Sequence, residues 1–358
     1  MKISFNFAKR KRALKKLLDE NNIEAMLFSS REHIFYFLGY YQDDAYLLLT
    51  HKDDYLITDS RYQNEVKNLK EKCKKIISSQ PLREISQLVK KYHLKTIGFE
   101  EDCLNYQMYA FIKKNLSGIK LKPAAKYIRM LTLIKDAQEI KTISKACDIA
   151  NLTLAQIKKM NLIGKSEKEL SGYLKYYISK LGFETADYEP IVASGARSAL
   201  PHAKTTNIKL KKDSNLLIDL GAKVYGYNSD LTRVYSLSKM KAAYKSIYSI
   251  VEEAQKTAIA SIKPGVKASL VDKKARDVIA GNGYADKFIH TTGHGLGLHI
   301  HEGPTISPRN PQCLRAGMVF TVEPGIYLAN KFGIRIEDVV AVTQKGYKVL
   351  SHDITHTV

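Results

Sequence analysis

Five residues of metal-binding type fall in order over the last 140 positions: Asp219, Asp230, His294, Glu323 and Glu337. They sit in the stretches LLIDLGAKVYGYNSDLTR, HTTGHGLGLHIHEGP, TVEPGIY and GIRIEDVV. Four carboxylates and an imidazole among apolar neighbours are costly to bury unless cations lie between them. Asp219 ends an apolar run, Leu216-Leu217-Ile218, and Asp230 opens another strand-like stretch beyond a turn. A symmetric hairpin around Val224 and Tyr225 sets Asp219 opposite Asp230. Like charges so placed repel, and a metal ion reverses the sign of the contact. Asp219 alone reads as a solvated turn residue; its apolar approach and the later ligands weigh against that.

The second pair repeats the logic. Val319-Phe320-Thr321-Val322 leads into Glu323-Pro324-Gly325, and Ile334 and Ile336 flank Arg335 before Glu337. Strand periodicity turns both glutamates toward one cavity, with Arg335 on the same face to offset surplus negative charge. A surface hairpin with an ordinary ion pair explains neither the hydrophobic flanks nor Glu-Pro-Gly. Between the pairs, four of the chain's ten histidines (His290, His294, His299, His301) crowd into twelve residues. Glycines at 293, 295 and 297 let the backbone approach closely there. Oxygen-rich ligands with one His and no Cys suit manganese or cobalt, with zinc and ferrous iron as alternatives. Two such ions, about 3.5–4 Å apart, activate a shared water and polarise a carbonyl, so the chemistry expected is metal-assisted acyl hydrolysis. No Gly-x-Ser-x-Gly elbow, P-loop or nicotinamide fingerprint competes.

These segments resemble the pita-bread metallopeptidases, most closely the Xaa-Pro aminopeptidases and prolidases, over nearly the whole chain. The resemblance implies a dinuclear site: Asp219 chelates one metal, Asp230 and Glu337 bridge both, and His294 and Glu323 bind the other. It makes Glu323 the proton shuttle for a bridging hydroxide and His301 a stabiliser of the tetrahedral intermediate. His290 lines the pocket, His202 of SGARSALPH assists proton transfer, and Arg335 steadies the metal carboxylates. His299 stands where many relatives carry Asp or Glu, which is expected to alter pocket charge and substrate preference rather than ligation.

At 358 residues and 44% hydrophobic content, the chain has room for two domains with real cores. It has no apolar run of membrane-spanning length. The basic N-terminus lacks the apolar stretch of a secretory signal and is expected to form an amphipathic helix over 8–21, with Leu14, Leu17 and Leu18 opposite the lysines and arginines. Four scattered cysteines fit free thiols in a reducing cytoplasm. The net charge of +21 is spread through both halves without a nucleic-acid motif, which argues for a solvated lysine-rich surface and against nucleic acid as partner.

Residues 1–125 read as an α/β domain: strands near 25–29, 46–50 and 55–58, a helix over 60–69, and a strand ending at Glu100. REHIFYFLGY (31–40) resembles the family's creatinase-like N-terminal domain, which would lend a pocket wall; His33 reads as structural. Residues 126–358 form the expected pita-bread catalytic domain, opened by a helix that Asp136 and Glu139 cap and that runs to about Met160. That domain carries an internal repeat: Gly164 and Gly182 match Gly265 and Gly283, 18 residues apart in each copy, with the copies offset by 101. The expected whole is an α/β (α+β) metallopeptidase, a homodimer or homotetramer, acting on small peptides with proline second. A methionine-aminopeptidase-like enzyme and a non-catalytic binding module on the same fold are the alternatives.

Overall fold

The computed structural model describes residues 5–116, 118–238 and 242–351. The chain divides into two compact units, Met1–Thr132 and Leu133–Val358. No helix among the described residues is long and apolar enough to cross a membrane. All four cysteines are free.

The first unit is built on a six-stranded sheet. Its strands run in the order Lys74–Ile77, Asp54–Thr58, Ala45–Thr50, Ala25–Phe28, Thr96–Phe99, Lys120–Pro123. Ala25–Phe28 and Ala45–Thr50 are buried throughout, as central strands covered on both faces must be. The two edge strands carry Lys74, Lys75, Lys120 and Lys122, and charged edges of this kind resist pairing with other chains.

The first helix spans Phe7–Asp19, where Asn6 accepts a hydrogen bond from the Lys9 amide. Leu14 and Leu18 are buried as expected, but Leu17 is only partly covered, and Arg10 and Lys11 are buried rather than facing solvent. Specific partners make that burial tolerable. The Arg10 guanidinium lies 4.1 Å from the Tyr36 ring centroid and donates to the Tyr36 carbonyl, while Lys11 pairs with Asp54 and Glu71. The expected helix over 60–69 is a 3-10 turn, Ser60–Tyr62, followed by a short helix, Gln63–Lys67. Periodicity missed the helices Arg31–Leu38, Pro81–Lys91 and Tyr106–Asn115. His33 lies in the first of these and contacts the fully buried Glu100, whose other oxygen accepts from the Ser29 and Ser30 amides. That carboxylate thus closes the start of the helix. Cys103 lies close enough to form a metal-type triad with them, although the Glu100 oxygens are already engaged.

The second unit shows the duplication directly. Asp136 and Glu139 form a full capping box on the helix Ala137–Lys158. Helices Glu167–Lys180 and Ala268–Gly281 then occupy matching places in the two halves. Gly164 and Gly265 share φ near 84–85°, and Gly182 and Gly283 share φ near 81–82°, a left-handed backbone that glycine adopts without strain. Both helix starts dock by the same ladder. The Gly164 amide donates to the Leu210 carbonyl and the Gly265 amide to that of Leu314, with return bonds to Lys165 and Val266. Each half then supplies a sheet. The first has the order Leu231–Ser236, Asn215–Leu220, Ile191–Ser194; the second has five strands with Val319–Val322 at its centre, between Gly293–Gly295 and Asp338–Val342. A core that includes Val251, Ala254, Ala275, Phe320 and Val340 glues the later helices to the strands.

One expectation is corrected. Asp219 lies opposite Thr232, not Asp230. The hairpin turns at Tyr225-Gly226, whose φ values of 45° and 77° fit a tight turn with both central residues left-handed. Val224 therefore pairs with Tyr227, and the register shifts by two residues. Asp219 and Asp230 become diagonal neighbours on one face, still close enough to interact. Gly221 lies between them, and a Cβ there would come within 1.9 Å of the Ser229 carbonyl oxygen. Gly221→Ala is expected to destabilise the protein by about 1–3 kcal/mol, read from the urea midpoint; an unchanged midpoint would mean the hairpin tolerates the crowding.

Candidate metal centre

All nine residues singled out from sequence line one cavity of about 640 Å³: His202, Asp219, Asp230, His290, His294, His301, Glu323, Arg335 and Glu337. Different elements deliver them. Asp219 lies within the buried strand Asn215–Leu220, and Asp230 directly precedes Leu231–Ser236. Val322 pairs with Asp338, so Glu323 and Glu337 stand one residue further along the same antiparallel pair. His294 is the middle residue of Gly293–Gly295. Its flanking glycines are required: a Cβ on Gly293 would sit 1.9 Å from the Thr321 carbonyl oxygen, and one on Gly295 2.0 Å from that of Gly303.

The electrostatics are those of a cluster that wants a cation. Asp230 and Glu337 have their pKa values pushed well above the carboxylate range, first by burial and then by neighbouring carboxylates. Burial pushes Glu323 up to about 7. His294 Nδ1 lies 3.1 Å from the carbonyl oxygen of Gly295 and donates to it, leaving Nε2 with its lone pair. That nitrogen stands 3.6 Å from Asp230 Oδ2 and 3.5 Å from Glu323 Oε1, wider than a hydrogen bond. Burial, reinforced by His301, lowers the His294 pKa to about 4, so the ring is neutral near pH 7, as a ligand must be. Ligand atoms of Asp230, His294 and Glu337 lie within 4.8 Å of one another. The donor set fits divalent cations.

Around it runs a hydrogen-bonded frame. Arg335 donates to Asp219 Oδ2 at 2.5 Å, to Thr232 Oγ1 at 3.0 Å, and to the Pro201 carbonyl and Tyr327 Oη, both at 3.1 Å. Thr232 in turn donates to Glu337 Oε2 at 2.7 Å. One guanidinium therefore braces two carboxylates and the peptide before His202. His290 donates through Nδ1 to the Thr291 carbonyl and accepts from Tyr327 Oη at 2.8 Å through Nε2; burial, followed by the Arg335 charge, holds its pKa near 4. The His301 ring centroid is 4.2 Å from that of His294. His299 is not among the cavity-lining residues; its amide donates to Glu302 Oε1.

Three participants escaped the sequence reading. Tyr188 Oη stands 2.7 Å from Asp219 Oδ1 and 2.6 Å from Asp230 Oδ1. A hydroxyl carries one hydrogen, so it can satisfy only one of them as donor. Tyr327 and Thr232 complete the frame. Tyr327 lies four residues after Glu323, but nothing in its spacing distinguishes it from a strand aromatic.

Because burial and crowding raise the folded-state pKa of these carboxyls, protonation stabilises the metal-free fold. That contribution is full below the unfolded-state values and is lost as pH rises through the raised ones. Cation uptake at pH 7 must then expel protons. Calorimetric titration with manganese in two buffers of different ionisation enthalpy is expected to give different apparent heats. Identical heats would mean the carboxylates are already ionised.

The metallopeptidase family M24 pattern matches residues 141–344, and the creatinase/prolidase N-terminal domain pattern matches residues 10–134. The Xaa-Pro dipeptidase of Pyrococcus furiosus is 35% identical over 338 residues, covering 94% of this chain and 96% of that protein. Among solved structures, an Xaa-Pro dipeptidase from Bacillus anthracis superposes with a TM-score of 0.93 at 32% identity, covering 99% of this chain and 100% of that one. An X-Pro aminopeptidase from Thermotoga maritima gives 0.91 at 34% identity, with 98% and 99% covered. These likenesses bear out the resemblance to pita-bread metallopeptidases of the Xaa-Pro type. The chain belongs to metallopeptidase family M24, its catalytic fold preceded by a creatinase/prolidase N-terminal domain.

Proposed function

We propose that this metallopeptidase is an exopeptidase that hydrolyses the bond between an N-terminal residue and a following proline. Residues 1–125 serve as its creatinase-like domain and 126–358 as its catalytic domain. The observation that carries the reading is the placement of His294, whose Nε2 faces Asp230 and Glu323 in a cavity that also holds Asp219 and Glu337. It is supported by relatives named for Xaa-Pro and X-Pro cleavage.

Asp219, Asp230, His294, Glu323 and Glu337 would hold two divalent ions, with manganese the best match to this oxygen-rich set and cobalt or zinc as alternatives. When bound, such ions lower the pKa of a water and polarise the scissile carbonyl. The chain's own groups do the rest. Glu323 takes a proton from the attacking water at its carboxylate and passes it to the proline nitrogen, which must be protonated to leave because an amide anion is too basic a leaving group. His202, exposed at the cavity mouth, assists that transfer. His301 donates to the oxygen that gains charge, and His290, locked in one tautomer by Thr291 and Tyr327, shapes the wall beside the bond. Arg335 holds Asp219 in place through its hydrogen bond to Oδ2. The M24 fold also suits a methionine-aminopeptidase-like activity; the creatinase/prolidase N-terminal match favours the proline reading. We assign the enzyme to the cytoplasm and to a homodimer or homotetramer, with small peptides as its partners.

Asp230→Ala and Glu337→Ala are expected to abolish hydrolysis and reduce bound metal; full activity in either would refute the two-ion site. His301→Ala should keep its metal while kcat falls about 10²–10³-fold, the usual cost of one donor to a developing oxyanion. Unimpaired turnover would remove His301 from the reaction.

The deciding assay uses chelator-stripped protein with manganese, cobalt or zinc restored, offered an Xaa-Pro dipeptide and an Xaa-Pro-Xaa tripeptide. Metal-restored cleavage supports the reading, and the preferred length separates dipeptidase from aminopeptidase. Metal binding without cleavage of either peptide would reject the proline preference. Failure to bind metal would favour a binding module.

A further inference from the structure

A buried ion pair lies behind the histidine-rich segment, and the reaction proposed above does not use it. Lys135 Nζ is 2.8 Å from Glu302 Oε2, with side chains 1% and 9% exposed. Glu302 directly follows His301 and lines the same cavity. Its other oxygen, Oε1, accepts the His299 amide at 2.9 Å. The carboxylate thereby closes a turn over Ile300 and His301 from within.

Lys135 is itself held at several points. Its amide donates to the Gly317 carbonyl at 2.8 Å, in the turn that leads into Val319–Val322 and Glu323. The next residue, Asp136, caps the helix Ala137–Lys158. Room for the pair depends on Gly297 of the histidine segment, where a Cβ would stand 3.0 Å from both Glu302 oxygens and from Lys135 Cε. On the opposite flank, Asn228 is fully buried. It donates through its amide to the Gly297 carbonyl at 2.8 Å and through Nδ2 to that of Leu298 at 3.0 Å. The segment between His294 and His301 is therefore anchored on both sides.

We propose that Lys135 and Glu302 are positioning residues that set the place of the His301 ring in the cavity. The inference rests on the peptidase reading for its kinetic consequence, though the geometry stands apart from it. A buried pair is weak evidence of stabilisation, because two charges lose much hydration on burial and an apolar pair of similar volume often does as well. A role in placement gives the pair a use beyond stability: a displacement of about 1 Å at a reacting group costs on the order of 10²-fold in rate.

The test compares the metal-loaded wild type with two paired variants, Lys135→Met/Glu302→Met and Lys135→Met/Glu302→Gln. Pairing avoids leaving one charge stranded, so each chain is expected to fold with a melting temperature close to that of the wild type. In the first pair, kcat against an Xaa-Pro peptide should fall about 10–100-fold, with KM within threefold and metal content unchanged. In the second, the glutamine oxygen again accepts the His299 amide, and several-fold of the loss should return. Turnover of the Met/Met pair within twofold of wild type would overturn the proposal, as would a loss confined to KM or to bound metal.

A second readout needs no turnover. The imidazole ¹H–¹⁵N correlation of His301, assigned through His301→Gln, should shift in the Met/Met pair and move back in the Met/Gln pair. A resonance that stays in place refutes the positioning role. A shift in a wild-type background that cleaves no Xaa-Pro peptide would reject the function proposed above and leave the placement intact.

Discussion

Mutual repulsion among buried carboxylates is the constraint on which the catalytic unit turns. Asp219, Asp230, Glu323 and Glu337 converge where water is scarce, and bare charges there are expensive. Two answers are present. Arg335 places a permanent positive charge against Asp219 and reaches Glu337 through Thr232. Burial first, and then the remaining repulsion, pushes Asp230, Glu323 and Glu337 toward their protonated forms. A cation relieves it more fully, so the energy that makes the metal-free cavity strained is the energy that draws metal in.

The duplicated architecture follows from that requirement. Each half docks its second helix by the same ladder at a left-handed glycine, leaves that helix through another, and feeds a strand pair that carries two carboxylates. Strands hold such groups more rigidly than loops, because each backbone position is tied to a neighbour by hydrogen bonds. The histidine arrives on a third strand, squeezed between neighbours by glycines that admit no Cβ. The first unit is constructed differently, as one mixed sheet with lysines along both edges. Part of the chain's basic character thus has a structural use.

Polar networks behind the site distribute its rigidity. Tyr188 touches two carboxylates, Tyr327 links Arg335 to His290, and the Lys135–Glu302 pair closes the turn before the cavity floor. None of these contacts stabilises the fold by much more than it costs in desolvation. Their common effect is to leave each reacting side chain one orientation.

The carboxylates and histidine that line the cavity were legible in the sequence because chemistry of the kind proposed demands particular residue types. Carboxylates ending apolar runs and a histidine between glycines are improbable without a metal to satisfy them. The repeat was legible for a similar reason, since a left-handed turn selects glycine at the same place in each copy. Pairing and side-chain orientation were not. The two-residue shift that sets Asp219 against Thr232 arises from the conformation of Tyr225-Gly226, which composition does not specify. Arg10 and Lys11 looked like solvent-facing charges until Tyr36, Asp54 and Glu71 met them from distant positions. Tyr188, Thr232 and Lys135 matter for what lies beside them in space, 31 to 167 residues away along the chain. Sequence by itself determined which atoms could bind a cation, because that depends on local chemistry. Only the tertiary structure decided which groups brace them, because hydrogen bonds and burial depend on distance through space.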